Sequence, residues 1–441
     1  MYVLSTILRR LSKTANISPV AKPIWLSTGI NYTFLTNFFS ETSDVYRSAF
    51  HVKDALFLLE GSDSGQMLRY SSERAVEIVN VKNTPLSLNY IVNNVIRPVY
   101  CGTFFRQFLL SLSGEGNLLY WRIMYKAVTD KINFETLARR YGVRMYLTAR
   151  FNENNAAKVM TINAFKGQAV GFQFGDVAHP LMNLFVNAYA SVNHFFMYGD
   201  GLTEFKKCGH IIDSFHPVGL DRMDAFFRFK EQAGFLRLKH NPEKAFVIVV
   251  FGPAYNETLP RHRNVLSFYH SVFAAFLQVV DHNVKFIIKV HKKSSMADGE
   301  ADFPELATLI ELFRDHPKVH YCYYENPYEL LAIADMVITW SSSTTGLEAI
   351  AAGKPTVFVD PMKSRYLIYG SFHPSLVVSG KKDLQRLVDM TIKGEYPVSP
   401  EVYERILRLY CAPNDGQAFQ RILDILIDLD VRQWANTGDF N

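Results

Sequence analysis

The stretch Trp340-Ser341-Ser342-Ser343-Thr344-Thr345-Gly346-Leu347-Glu348-Ala349 concentrates more chemistry than any other part of the sequence. Five hydroxyl residues, Ser341 to Thr345, follow an apolar strand-like run and lead into a helical pattern. Exposed N–H groups at a helix start, joined by side-chain hydroxyls, make a seat for phosphate. Glu348 lies about one turn further on, where a carboxylate can take a pair of ribose hydroxyls. The competing explanation is a plain helix cap, for which a single hydroxyl suffices. Five in a row favour a ligand.

Other candidate groups also follow strand-like runs. Lys289, His291 and Lys292 close the run VKFIIKV, where cations and an imidazole can meet phosphate or a leaving nucleotide; a solvated basic turn is the alternative. Gly252 ends AFVIVVF and allows close backbone approach, although Gly-Pro is also ordinary turn chemistry. In the first half, Asp176 follows the run Ala169–Phe174. It can serve as general base on an acceptor hydroxyl or as nucleophile on an anomeric carbon, and equally as a turn residue. Glu153 and Asp221 are reserve carboxylates near the ends of first-half elements or the domain switch. His291 is the phosphate-side partner in this scheme.

These residues need a scaffold that brings strand ends together. From Ala245 onward, apolar runs alternate with helical stripes: strands at Ala245–Phe251, Val284–Val290, Val319–Tyr323, Met336–Thr339 and Thr356–Val359, with helices between. That alternation predicts a doubly wound parallel sheet, which binds ligands beyond the carboxyl ends of its strands. The first half is less regular. Ala55–Glu60 reads as a strand, Leu86 to Arg150 as mostly helical, and Val159–Ile162, Ala169–Phe174, His194–Tyr198 and His210–Ile212 as short strands. Residues 1–50 show no clear pattern. The expected division is an irregular Rossmann-like domain over 1–218, a nucleotide-binding Rossmann-like domain over 219–412 and a helical tail over 413–441.

The segments Ala334–Thr339, Ser341–Ala349 and Gly353-Lys354-Pro355, with Lys289-Val290-His291 and Gly171-Phe172-Gln173-Phe174-Gly175, resemble motifs of the GT-B glycosyltransferases of bacterial surface polysaccharide synthesis. Kdo transferases, sialyl- and polysialyltransferases and CDP-glycerol glycerophosphotransferases are the similar groups. Tyr198-Gly199 and Val218-Gly219-Leu220-Asp221 look like their landmarks before the domain switch. Lys292 departs from the proline that usually follows the histidine, and Phe174 from a frequent histidine. The second departure turns attention to Asp176. The resemblance implies an α/β GT-B fold with two Rossmann-like domains facing a central cleft. It also implies a metal-independent transferase that moves a sugar from a nucleotide sugar, with a lean toward CMP- or CDP-linked donors, to a glycan or lipid-linked glycan acceptor. No further cofactor is implied.

Bulk properties fit this picture. The 441 residues exceed one core and suggest two domains. At 48% hydrophobic and 20% charged, the chain is globular in composition. A net charge of +5 is too small for a dedicated nucleic-acid binder. Together with the aromatic-rich stretch around Phe104–Tyr125, it predicts peripheral contact with an anionic membrane, against the alternative of an ordinary soluble surface. Cys101, Cys208, Cys322 and Cys411 form no CxxC pair, so free thiols and a cytoplasmic setting are expected. No carboxylate cluster has metal-binding spacing. Two rivals remain: a non-hydrolysing UDP-sugar 2-epimerase, and a non-catalytic scaffold with the same fold.

Overall fold

The computed structural model describes residues 24–27, 55–59, 77–80, 117–148, 156–173, 191–201, 211–253, 262–289, 304–341, 343–363 and 368–436. Two all-parallel sheets organise them. The first runs β3-β2-β1-β4-β5-β6-β7, built from β1 (Ile24–Ser27), β2 (Ala55–Leu59), β3 (Glu77–Asn80), β4 (Met145–Thr148), β5 (Gln168–Phe172), β6 (Ser191–Met197) and β7 (Ile211–Pro217). The second runs β10-β9-β8-β11-β12-β13, from β8 (Phe246–Phe251), β9 (Val284–Lys289), β10 (Val319–Cys322), β11 (Met336–Trp340), β12 (Thr356–Val359) and β13 (Val377–Val378). Each strand order reverses once, between β1 and β4 and between β8 and β11, which is where such sheets open a crevice.

The central strands of the second sheet are buried on both faces. Val247, Ile248, Val249 and Val250 have no exposed surface, which accounts for the unbroken apolar run in the sequence. Helices α1 (Asn117–Tyr141) and α2 (Ala156–Ala164) belong to the first half. Next come α3 (Met223–Glu231), α4 (Ala233–His240), α5 (His262–Val279), α6 (Pro304–Arg314), α7 (Pro327–Ile333), α8 (Thr344–Ala351), α9 (Tyr369–Phe372), α10 (Lys381–Ile392), α11 (Pro400–Tyr410) and α12 (Ala418–Asn436).

Three sequence expectations need correction. Val159–Ile162 is not a strand but the middle of α2. That helix buries Lys158, Val159, Thr161 and Ile162, a helical stripe, and the Thr161 hydroxyl donates back to Ala157 O at 2.7 Å. Packing of that stripe overrides the β-branched propensity. The region read as helical to Arg150 contains β4, a four-residue strand with every side chain buried. The polar passage after Gly199 contains the full seven-residue β7, whose polar residues Asp213, Ser214 and His216 hide it from an apolar-run test. Among the described residues, no helix is long and apolar enough to cross a membrane. The aromatic stretch 104–116 lies outside the described residues.

The C-terminal helix does not stand apart as a tail. Phe419, Ile422, Leu423 and Leu426 of α12 pack in one core with Ile24, Phe57, Leu147, Val170 and Phe196 of the first sheet. Its start is held by the other half. Asp224 in α3 is buried, and its carboxylate accepts the amides of Ala418 at 3.1 Å and Phe419 at 2.8 Å. These are the orphan donors of a helix start, satisfied by a carboxylate that also complements the helix dipole. Arg421 Nε donates to Val218 O at 2.9 Å, fixing the preceding turn. Asp224→Ala should therefore lower unfolding free energy by about 2 kcal/mol and expose the 411–424 segment to protease. Urea denaturation with limited trypsin digestion checks both, and unchanged values would refute the capping role.

Candidate functional site

The carboxyl end of the second sheet is aligned row by row. Cys322 pairs with Lys289, Lys289 with Phe251, Phe251 with Thr339, and Thr339 with Phe358. Gly252 and Trp340-Ser341 therefore leave the sheet side by side at its switch point. Alternate residues point to opposite faces, so each side chain in this row has a fixed destination.

At the start of α8, Ser343 is the N-cap in extended conformation, yet its side chain makes no capping hydrogen bond. Its hydroxyl instead meets the Thr345 hydroxyl, which lies 3.2 Å from the hydroxyl of Thr339 on β11. The amide of Gly346 turns back to Ser343 O at 3.0 Å, and the cap side chain does not take the amides of Thr344 and Thr345, which precede it in the first turn. Ser341 is fully buried, and its hydroxyl has no hydrogen-bond partner among the described residues. The segment thus combines open helix-head donors, a chained set of hydroxyls and an unsatisfied buried hydroxyl. That combination suits an anionic ligand better than self-capping. Thr344 is the first helical residue; Ser342 lies outside the described residues.

Glu348 is 2% exposed and accepts a hydrogen bond from the Tyr328 hydroxyl at 3.2 Å. Tyr328 is the second residue of α7, whose start is capped by the Asn326 side chain through Tyr328 N. Burial pushes the Glu348 carboxyl above the ordinary range, opposed by the nearby Arg222 guanidinium and then by the Tyr328 hydrogen bond. Asp221 is likewise pushed up by burial and opposed by Arg222. Two carboxyls separated by more than a hundred residues therefore feel the charge of one guanidinium. Tyr198, the residue after β6, packs in one core with Leu220, Met223, Phe251 and Leu347. The carboxyl ends of both sheets converge here.

Gln173, from the Gly-x-Gln stretch, ties β5 to β6: its amide nitrogen in the backbone donates to Phe196 O at 2.9 Å, and its side-chain oxygen accepts Tyr198 N at 2.9 Å. It fixes the backbone on which Tyr198 sits. Lys289 directs its ammonium to the carbonyl of Tyr323, beyond β10, rather than showing it at the strand end. Gly252 is needed for a close approach, but to protein: a Cβ there would stand 2.4 Å from the Tyr269 hydroxyl. Cys322 and Cys411 are buried thiols outside any disulfide, and burial pushes Cys322 up to about 12, far from reactive thiolate. Asp176, His291, Glu153 and Lys292 lie outside the described residues. Among the described residues, no group of three or more His, Cys, Asp or Glu is placed to hold a metal ion.

Sequence reasoning missed Arg222 and Tyr328. Arg222 sits beside the named Asp221 but reads as a surface cation, and Tyr328 as one more apolar helix position. Asp335, inside the Ala-Asp motif, proves to be a support: its carboxylate pairs with Arg237 at 3.0 Å and accepts Val247 N at 2.8 Å.

No protein-family model matches the chain, and no curated protein sequence does. Solved structures do match. A UDP-GlcNAc 2-epimerase from Methanocaldococcus jannaschii aligns with TM-score 0.52 at 11% identity, covering 92% of this chain and 99% of its own. A glycosyltransferase from Rickettsia africae aligns at 0.49 and 8% identity, covering 92% and 98%. Anabaena HepE, in complex with UDP-glucose, aligns at 0.47 and 12%, covering 92% and 99%. The first alignment, with the two parallel sheets, establishes a GT-B fold. At this identity it speaks for fold alone.

Gly346 is required where α8 crosses β12. A Cβ there would lie 2.0 Å from the Phe358 ring and 2.9 Å from Thr339. Phe358 cannot yield, because it stacks on buried Tyr369 with ring centroids 4.5 Å apart. Gly346→Ala should cost roughly 1–3 kcal/mol through overpacking, and Phe358→Leu in the same chain should recover part of it. Chemical denaturation of the single and double variants decides. Additive losses would contradict the clash.

Proposed function

We propose that the chain is a nucleotide-sugar-dependent glycosyltransferase whose donor nucleotide is held by α8. The observation that carries this is the head of α8: free helix donors, the hydroxyls of Ser341, Ser343, Thr344 and Thr345, and buried Glu348 one turn in, all at the switch point of a doubly wound sheet. A diphosphate fits the helix head, where N–H groups and the dipole favour negative charge. Glu348 accepts the ribose hydroxyls. Stabilising charge that builds on a leaving phosphate is the contribution such a site makes to transfer.

The acceptor half is the first sheet. Asp176 is the proposed base or nucleophile, His291 the proposed phosphate-side partner, and Glu153 and Asp221 the reserve carboxylates. The resemblance of the donor block supports a cytidine-linked donor and a surface glycan or lipid-linked glycan acceptor, met at an anionic membrane face. The likeness to the Methanocaldococcus jannaschii UDP-GlcNAc 2-epimerase supports the broader class of nucleotide sugars.

A thermal-shift panel of CMP, CDP, UDP, GDP and ADP identifies the nucleotide, since a ligand of the native state stabilises by mass action. Glu348→Gln should then weaken binding of the best nucleotide by about 1–3 kcal/mol, read by calorimetry on a folded variant. Unchanged affinity would remove Glu348 from the ribose seat. Incubating the matching nucleotide sugar without acceptor should leave the sugar configuration intact. An epimerised free nucleotide sugar would replace the transferase reading with the epimerase one.

A further inference from the structure

Helices α7 and α8 are tied together at both ends. At one end, the Tyr328 hydroxyl donates to Glu348 Oε1 at 3.2 Å. At the other, Lys354, three residues past α8, donates its ammonium to Ala334 O at 2.8 Å and Ala332 O at 3.3 Å. Those carbonyls lie at the end of α7, where a cation suits the helix dipole. Lys354 belongs to the Gly353-Lys354-Pro355 motif, so this part of the donor block fixes one helix against the other. The start of α7 is held as well. Asn326 is its N-cap, and the side chain accepts Tyr328 N at 3.0 Å. Glu329, one residue on, holds Lys239 at 2.7 Å and His240 at 3.0 Å on α4. Leu330, Leu331 and Ile333 share a buried core with Leu347, Ala349 and Ile350 of α8, and Tyr328 packs against it. The backbone that aims the Tyr328 ring is thus held along its whole length. Among the described residues, this phenol is the one side chain that hydrogen-bonds to the Glu348 carboxyl.

We infer that Tyr328 is a positioning residue for the donor seat, its hydroxyl fixing the Glu348 carboxyl in the plane that receives the ribose hydroxyl pair. This rests on the reading of Glu348 as ribose ligand. A glutamate side chain turns about several bonds, and the last of them is soft, so a fixed helix position leaves the carboxyl plane undetermined. A donor on Oε1 sets that plane. It leaves Oε2, and the second lone pair of Oε1, to a ligand. A phenol suits the task, because its ring is rigid and it brings no charge beside the phosphates at the head of α8. Support of this kind around a ligand-binding group is what turns a residue that is present into one that is oriented. A hydroxyl kept only to satisfy a buried carboxyl would stabilise the fold, and would affect nucleotides with and without ribose hydroxyls alike.

The discriminating quantity is the ratio of affinities for a ribonucleotide and its 2′,3′-dideoxy counterpart, measured by calorimetry on the full chain with UDP and CDP as probes. The ratio is internal to each variant, so a loss of folded protein does not change it. Wild type should favour the ribonucleotide by roughly tenfold or more. Tyr328→Phe removes only the hydroxyl. It should shrink the ratio by about threefold or more, through weaker ribonucleotide binding with dideoxy binding unchanged. Asn326→Ala removes an exposed cap and leaves the phenol in place, and should shrink the ratio by a smaller factor. In Glu348→Gln, adding Tyr328→Phe should leave the ratio where the first substitution put it. A wild-type preference that Tyr328→Phe leaves intact overturns the inference alone. If the Phe variant does not fold, an unchanged ratio in Asn326→Ala overturns it instead. A wild type that binds neither nucleotide, or binds ribo and dideoxy forms alike, removes the ribose seat and the inference with it.

Discussion

A buried carboxylate at the head of the last helix holds the two halves of this molecule in register. Asp224 belongs to the second half by sequence, while α12 packs its apolar face on the first sheet. Without that cap, two parallel sheets would be joined by single crossings of chain, and interfaces of that kind slide and open by default. With it, the crossover turn, the exit of β6 and the head of α8 occupy one neighbourhood. The Gly199 and Gly219 backbones reinforce the tie, each lying against the segment Leu409–Pro413 too closely for a side chain.

The electrostatics of the site follow from this placement. Burying Glu348 and Asp221 is costly, since isolated carboxylates lose several kcal/mol of hydration in a protein interior. A single guanidinium opposes both shifts. Such an arrangement is poor as pure structural glue, because apolar residues of like volume generally stabilise a core as well or better. The proposed ribose seat gives this carboxylate a ligand to bind. The hydroxyl chain Thr339–Thr345–Ser343 is of the same kind: it organises donors and acceptors at a helix head without consuming the backbone amides.

The second sheet was legible because its strands are covered on both faces, so each reads as an unbroken apolar run. Helix α5 showed its stripe for the same reason. The first sheet was less so. β4 is four residues long and follows a 25-residue helix directly, so its signal merged with helical periodicity. β7 carries Asp213 and His216, whose polar character is satisfied by Asn193 at 2.8 Å and His194 at 3.1 Å, contacts that local pattern cannot reveal. Within the site, hydroxyls and Glu348 were visible as types at a spacing. Arg222 and Tyr328 were not, since their importance is a matter of distance across 126 and 20 residues of chain to Glu348. Lys289 and Gly252 were visible as types too, but their immediate partners, Tyr323 O and the Tyr269 hydroxyl, lie in the fold.

The central claim is that a nucleotide diphosphate seats on the head of α8, against the crossover turn. Amide hydrogen exchange reads it most directly, because helix-head amides without intrahelical partners exchange quickly until a ligand accepts from them. Adding saturating nucleotide should protect peptides covering 341–351 and 219–224, while those around the Arg237–Asp335 pair, at the opposite end of the sheet, stay unchanged. Protection confined to that opposite end, with the head of α8 exchanging as before, would contradict the account.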